Sequence, residues 1–546
     1  MKTASITALR EALAEKGTHH QQWAGRVMIA TSITDGSVRA KVRFHSGKSF
    51  KNAWQNVVDL LHNVDNHSDV KVDLVTNIQK LTRQQFTQQL AAVPRMHYWR
   101  KGISFDAQFQ TALLEEELNA NALTVPSPDH VIGENGAAMT LDVKKTASFL
   151  LKQHNVNVPD LADATNVWVF TTKAAFYDGE RVMPITDSGL GIGTRTLGNF
   201  QQELKTVIDN GEQFLKAQIQ DSGRFIYGYY PAREQVLTNY NTVRHFSSLY
   251  ALAETSAFVH DDAAFDRIKL SLKYGLDNLT IQRDGCQFAV DYYKNKDDEL
   301  KLGSQATVLL ALCKYQEVTG DHTFEPVLQR VINGLKYFRT ADNGFIHVLH
   351  TDLSEKDKFR IIYYEGEITF ALSRCYELTG NVQAKTIVQE TLDHMAAHNY
   401  GRFHDHWISY AVNEALELFG DNRDYMKLAI ANAFGHLDFI AQRDTAYPTL
   451  LELLDAASKM VDKVNAAGQS DLLAEVDVSR LRDVQTFRAK HEVATGCFLP
   501  EVAMYFYQPN KFVGGFFARH DHFRTRIDDC EHFLSGLVNY YQLLYA

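Results

Sequence analysis

Five times in the C-terminal two-thirds of the chain, a helix-like stretch runs into glycine, reaches Phe one to three positions later, and is followed by a second helix-like stretch. The five connectors are Asp221-Ser-Gly-Arg-Phe225, Asp284-Gly-Cys-Gln-Phe288, Asp342-Asn-Gly-Phe345, Tyr400-Gly-Arg-Phe403 and Gly514-Gly-Phe516. The segments that follow them end alike. Gln316-Glu-Val-Thr-Gly-Asp321, Tyr376-Glu-Leu-Thr-Gly-Asn381 and Leu416-Glu-Leu-Phe-Gly-Asp421 place glycine where a helix stops in the left-handed conformation. A repeated helical hairpin fixes the architecture before any single residue does.

The pattern predicts outer helices near 201–219, 262–281, 324–340, 382–397, 423–441 and 472–492, and inner helices near 242–257, 303–319, 366–379, 406–419, 449–465 and 529–544. Apolar residues recur at helical spacing, as in Ile368, Ala371, Leu372, Cys375 and Leu378. Hairpins of this kind bury their faces only against one another. An open solenoid needs a polar last repeat, whereas Phe533-Leu-Ser-Gly-Leu-Val-Asn-Tyr-Tyr-Gln-Leu-Leu544 is strongly apolar, so a closed ring is expected, with Tyr540 and Tyr541 beside the first hairpin. Six hairpins with Gly-to-Phe connectors over residues 200–546 resemble the (α/α)6 toroid shared by many glycoside hydrolases and by the N-acylglucosamine 2-epimerase group. The resemblance lies in the repeat and implies the fold; no family's catalytic motif is laid onto these residues.

Residues 1–195 read differently. Gly25–Thr34 and Ser37–Phe44 flank Asp35-Gly36, a hairpin signal; Val70–Val75 and Val167–Thr172 read as further strands, with helical patterns at 49–62, 106–120 and 144–154. The expected class is mainly α: an α/β N-terminal domain over 1–195, then the toroid over 200–546. Asp187-Ser-Gly-Leu-Gly-Ile-Gly193 reads as a link between domains or a phosphate-cradling loop, and Arg95, His97, Trp99, Arg100 and Lys101 as a solvated basic turn or a polyanion contact.

With 546 residues and a net charge of −10, the composition argues against a nucleic-acid or anionic-membrane partner. No apolar run approaches a membrane span, and Met1–Lys16 reads as an amphipathic helix rather than a signal peptide. The five cysteines lack Cys-x-x-Cys spacing and fit a reducing cytoplasm.

Connectors that lead into inner helices share one face of a toroid, so the residues just after them gather at its mouth. Substrate-binding candidates are Tyr229, Tyr230, Arg244, His245, Tyr364, His404, His406, Trp407, Arg524 and Arg526; catalytic candidates are the carboxylates Glu365, Glu367, Asp528 and Asp529. Aromatic faces mixed with carboxylates, imidazoles and guanidinium groups suit a saccharide or a saccharide-containing polymer. Each carboxylate also suits a helix N-terminus, where the dipole favours it without chemistry. His404-Asp405-His406 and His520-Asp521-His522 have the spacing of a metal-binding tripeptide, but histidines that bond sugar hydroxyls give the same composition, and no metal or other cofactor is expected. The favoured activity is glycan hydrolysis by paired carboxylates, Glu365 or Glu367 with Asp528 or Asp529. Two alternatives stay open: a sugar epimerase or isomerase using two histidines such as His245 and His406, and a non-catalytic scaffold in cell-envelope polymer synthesis.

Overall fold

The computed structural model describes all residues except 16–22, 95–96, 127–131, 134–135 and 159–160, so Arg95 of the basic turn lies outside the described residues. Two compact units emerge. The first comprises Met1–Gly198, Tyr229–Val236 and Ala494–Thr525, and the second Asn199–Gly228, Leu237–Val493 and Arg526–Ala546.

In the first unit the strands β1 (Val27–Thr34), β2 (Lys41–Gly47), β3 (Asp69–Thr82), β4 (Gly102–Ser104), β5 (Asn166–Tyr177) and β6 (Val182–Pro184) form an antiparallel sheet in the order β6-β5-β3-β1-β2, with β4 also on β5. Helices α1 (Thr3–Glu15) and α2 (Phe50–Leu61) bury Leu9, Leu13, Trp54 and Val57 against Val27, Ile29, Val70 and Val72 of the sheet. Helix begins only at Glu115 within the expected 106–120 stretch, because Asp106 accepts the Gln108, Gln110 and Thr111 amides and holds a turn. The glycine-rich segment closes on itself: Thr186 N donates to Thr194 O at 2.8 Å and Gly193 N to Thr186 O at 2.9 Å, which spends on its own carbonyls two amides that a phosphate cradle would need. Of the basic turn, Arg100 is tied to Glu115 at 2.8 Å and to Ile192 O at 2.7 Å.

Two buried cations in this unit are paired with carboxylates. Lys71 sits between Asp73 at 3.0 Å and Glu116 at 2.5 Å, and Arg195 grips Glu501 through its backbone N–H and its guanidinium. Unpaired, either cation would carry a large desolvation penalty.

The second unit is the ring. Outer helices α3 (Phe200–Ala217), α5 (Ala264–Asn278), α7 (Glu325–Gly334), α9 (Val382–Ala397), α11 (Arg423–Phe434) and α13 (Val478–Thr495) alternate with inner helices α4 (Thr242–Val259), α6 (Leu302–Thr319), α8 (Tyr364–Thr379), α10 (His406–Phe419), α12 (Thr449–Ala466) and α14 (Ile527–Tyr545). Each inner helix touches the next, and α14 returns to α4, closing an (α/α)6 toroid. Closure is sealed where Tyr540 meets Phe200 and Tyr541 meets Phe258 in edge-on contacts at 6.1 and 5.3 Å. Inner helices are buried on nearly every side, as α6 is from Leu302 to Gln316 apart from Lys314, which is why their sequences lack a polar face. Side-chain caps from Asn199, Asn241, Asn381, Asp405 and Asn422 start five of the helices, each worth about 1 kcal/mol.

Gly320 and Gly380 end their helices left-handed, at φ 69° and 67°. Gly420 differs: its φ of 82° with ψ of 178° lies in a region that only glycine enters freely. All five cysteines are buried and none is in a disulfide. Among the described residues, no helix is long and apolar enough to cross a membrane.

Candidate active site

The first turns of the inner helices meet. Arg244, in the first turn of α4, donates from Nε to Asp528 of α14 at 2.9 Å, and Arg526 reaches the other oxygen of Asp528 at 3.2 Å. Glu452, in the first turn of α12, accepts from His532 Nδ1 of α14 at 2.9 Å and from the Tyr410 hydroxyl of α10 at 3.2 Å. His406 opens α10 and stands with its Nε2 3.8 Å from the same Glu452 oxygen. Glu367 of α8 is buried within electrostatic range of Glu531, Asp405 and His532, and its Oε2 has no hydrogen-bond partner.

Two imidazoles dominate the arrangement. The His406 and His532 rings stand edge to face with centroids 5.4 Å apart. Burial disfavours charge on His532, but Glu531 and Glu452 outweigh burial and raise its pKa to about 10. For His406 burial and the neighbouring His532 charge act together and push the pKa far below the usual histidine range. Its Nδ1 lies 3.4 Å from Asp405, and its buried Nε2 is unpartnered. At neutral pH the pair is therefore one imidazolium beside one neutral imidazole.

The His406, Glu452 and His532 donor atoms lie within 4.8 Å of one another. Without an ion, the 2.9 Å His532–Glu452 contact is a hydrogen bond. His404 does not join them. It bonds Asn432 O at 2.8 Å and stacks on His436 at 4.4 Å, so the two histidines of that tripeptide have separate targets.

The remaining sequence candidates divide by helix face. His245 points outward from α4: Nδ1 accepts from the Tyr240 hydroxyl at 2.8 Å, Nε2 donates to Ser271 O at 3.0 Å, and burial lowers its pKa to about 4. Both nitrogens are thus used, Nε2 in joining α4 to α5 and Nδ1 in holding the segment before α4. Glu365 likewise turns away from the cluster, accepting from Phe345 N at 3.2 Å and bonding Tyr400. Asp529 receives the Arg526 amide and guanidinium at 2.9 to 3.1 Å, forming the capping box of α14. Tyr364 and Trp407 are buried supports, the first 5.4 Å from the His347 ring and the second 4.8 Å from the His406 ring. Tyr229, Tyr230 and Arg524 belong to the other compact unit, where Tyr229 packs on Phe512 at 5.6 Å, Arg233 covers Tyr230 at 5.3 Å and Arg524 pairs with Asp521.

Sequence reasoning placed Asp405 and His532 at the mouth without assigning them a role, and missed Glu452 and Glu531. The usable signal was position in the inner helix. Glu452 is the fourth residue of α12, as Glu367 is of α8.

One consequence is measurable without a substrate. Burial, then Glu531 and Asp405, hold the Glu367 carboxyl well above the ordinary glutamate range. Such a group destabilises the fold increasingly as pH rises above the unfolded value of about 4.3. Glu367→Gln keeps the shape without the ionisation, so its melting temperature should exceed that of the unsubstituted protein at pH 8, with the difference vanishing near pH 4. Thermal melts at the two pH values check this; a lower melting temperature at pH 8 would show that the carboxyl is ionised and satisfied.

No family model and no curated protein matches the chain. Among solved structures, the chain is similar to a D-mannose isomerase at 10% identity, covering 64% of this chain and 100% of that one with a TM-score of 0.49. It is similar to the cellobiose 2-epimerase of Bacillus thermoamylovorans at 11% identity, 64% and 100% coverage and a TM-score of 0.49. A GH76 α-mannanase of Bacteroides thetaiotaomicron is similar at 10% identity, 63% and 97% coverage and a TM-score of 0.43.

Proposed function

We propose that this chain is a carbohydrate-active enzyme that moves a proton on a sugar, an epimerase or isomerase, with His406 and His532 as its acid–base pair. The carrying observation is the 5.4 Å pairing of two imidazoles whose surroundings drive their pKa values apart. Opposed pKa values on adjacent groups assign a base and an acid. In this reading the free Nε2 of His406 takes the C–H proton next to the carbonyl of an open-chain sugar. The electrons move onto the carbonyl oxygen, and the imidazolium of His532 returns a proton from its own side. Arg244, oriented by Asp528, supplies positive charge beside the oxygen that becomes anionic. Burial of the cluster excludes bulk water from the intermediate.

Hydrolysis is kept as a second reading because Glu367 has a buried, unpartnered oxygen while Asp528 is a carboxylate held by Arg244 and Arg526. A protonated acid beside an ionised carboxylate is the glycosidase requirement. The six-stranded sheet, α1 and α2 support reading residues 1–195 as an α/β domain ahead of the toroid at 200–546.

Turnover in D2O separates the readings. Proton transfer incorporates one non-exchangeable deuterium beside the carbonyl and yields the epimer or ketose with no new reducing ends, as read by NMR. New reducing ends without carbon-bound deuterium would replace epimerisation by hydrolysis; neither product would leave a binding scaffold.

A further inference from the structure

Large apolar side chains are usually exposed singly, and then mean little. Here several are exposed on the segments leading into α8 and α12. Tyr363 is 40% exposed and Phe359 47% on the first, and Tyr447 is 47% exposed on the second. Tyr363 and Tyr447 converge on the candidate site although 84 positions apart (447 − 363 = 84): the Tyr363 hydroxyl lies within electrostatic reach of Glu367, Arg244, Asp405 and the Tyr447 hydroxyl. Two inner helices and the residues leading into two more therefore face one tyrosine.

Both rings are braced from beneath. Tyr363 stands edge-on against Tyr364 at 5.7 Å, Arg443 lies over the Tyr447 ring at 4.8 Å, and Phe359 is tilted against His347 at 4.5 Å. A ring fixed on one face and wet on the other loses little rotamer entropy when something covers it. Beside a cluster of imidazoles, carboxylates and guanidinium groups that suits one polyhydroxylated unit, an apolar flat face suits the C–H surface of another.

We infer that the substrate is an oligosaccharide, whose reacting residue enters the His406–His532 cluster while the next residue stacks on Tyr363 and Tyr447. This rests on the saccharide reading above and adds the length of the substrate. It makes Tyr363 and Tyr447 determinants of specificity with no part in proton transfer.

The test is isothermal titration of the full chain with glucose, mannose and N-acetylglucosamine and with their β-1,4-linked disaccharides, alongside the D2O exchange assay. At least one disaccharide should bind about tenfold more tightly than its monosaccharide, the size of one aromatic contact. Tyr363→Ala and Tyr447→Ala should each remove most of that preference, whereas Tyr363→Phe, which keeps the ring, should retain it. Equal binding of monosaccharide and disaccharide, no saccharide binding, or disaccharide binding indifferent to both alanine variants would overturn the inference. Failure of the proton-transfer reading looks different: the disaccharide preference survives, but no carbon-bound deuterium appears.

Discussion

Replacing His532 by Asn lowers turnover by about 10²- to 10⁴-fold, the usual cost of losing a general acid or base. Asn keeps a donor near Glu452 but cannot deliver a proton. The imidazole's charge also has a stability signature that the amide lacks. Its pKa is raised to about 10 in the fold, so the stabilisation is fully present below the unfolded value of about 6.5 and is lost as pH rises through about 10. Hence His532→Asn should lower the melting temperature clearly at pH 6 and much less at pH 10, and in the unsubstituted protein kcat should fall as pH approaches 10. A variant that keeps more than a tenth of the turnover, or whose melting temperature falls equally at both pH values, removes His532 from the acid role.

The ring was legible because its two signals act locally and repeat. Helical period marks each element, and glycine marks three of the exits, so small errors at single boundaries do not propagate. The last outer helix shows such an error: read at 472–492, it runs from Val478, because Ser470–Leu473 forms a separate short turn. The site was less legible because adjacent candidates on one helix cannot serve one target. Successive residues turn by about 100°, so Glu365 and Glu367 face about 200° apart. Glu367 looks inward and Glu365 bonds the outer layer; Arg244 reaches Asp528 while His245 anchors α5. Asp528 and Asp529 divide in the same way, between an arginine on another helix and the cap of their own. Glu452 escaped for a different reason: the connector before α12 has no Gly-to-Phe signature, and nothing in the repeat marked the start of that helix as part of the mouth.

Glu501→Ala should destabilise the first compact unit by several kcal/mol, because it removes the acceptor of three charge-assisted hydrogen bonds, each worth about 1.5 to 3 kcal/mol. Arg195 donates to Glu501 from its backbone N and Nε at 2.9 Å each and from Nη2 at 2.6 Å, and the Glu501 side chain is 0% exposed. Truncation removes the carboxylate that all three donors address while the guanidinium stays buried. A full replacement by apolar residues has a different sign of argument. Arg195→Met with Glu501→Leu removes both desolvation costs at once, and such replacements of buried pairs are often neutral or stabilising. The double variant should therefore unfold at higher urea than Glu501→Ala alone, even though it carries one substitution more. The chain has two compact units, so the urea transition must be followed by a probe in the first, such as fluorescence of Trp54 and Trp99, both of which lie there. If the double variant proves less stable than the single one, the pair's value lies in its geometry and not in the desolvation of the guanidinium.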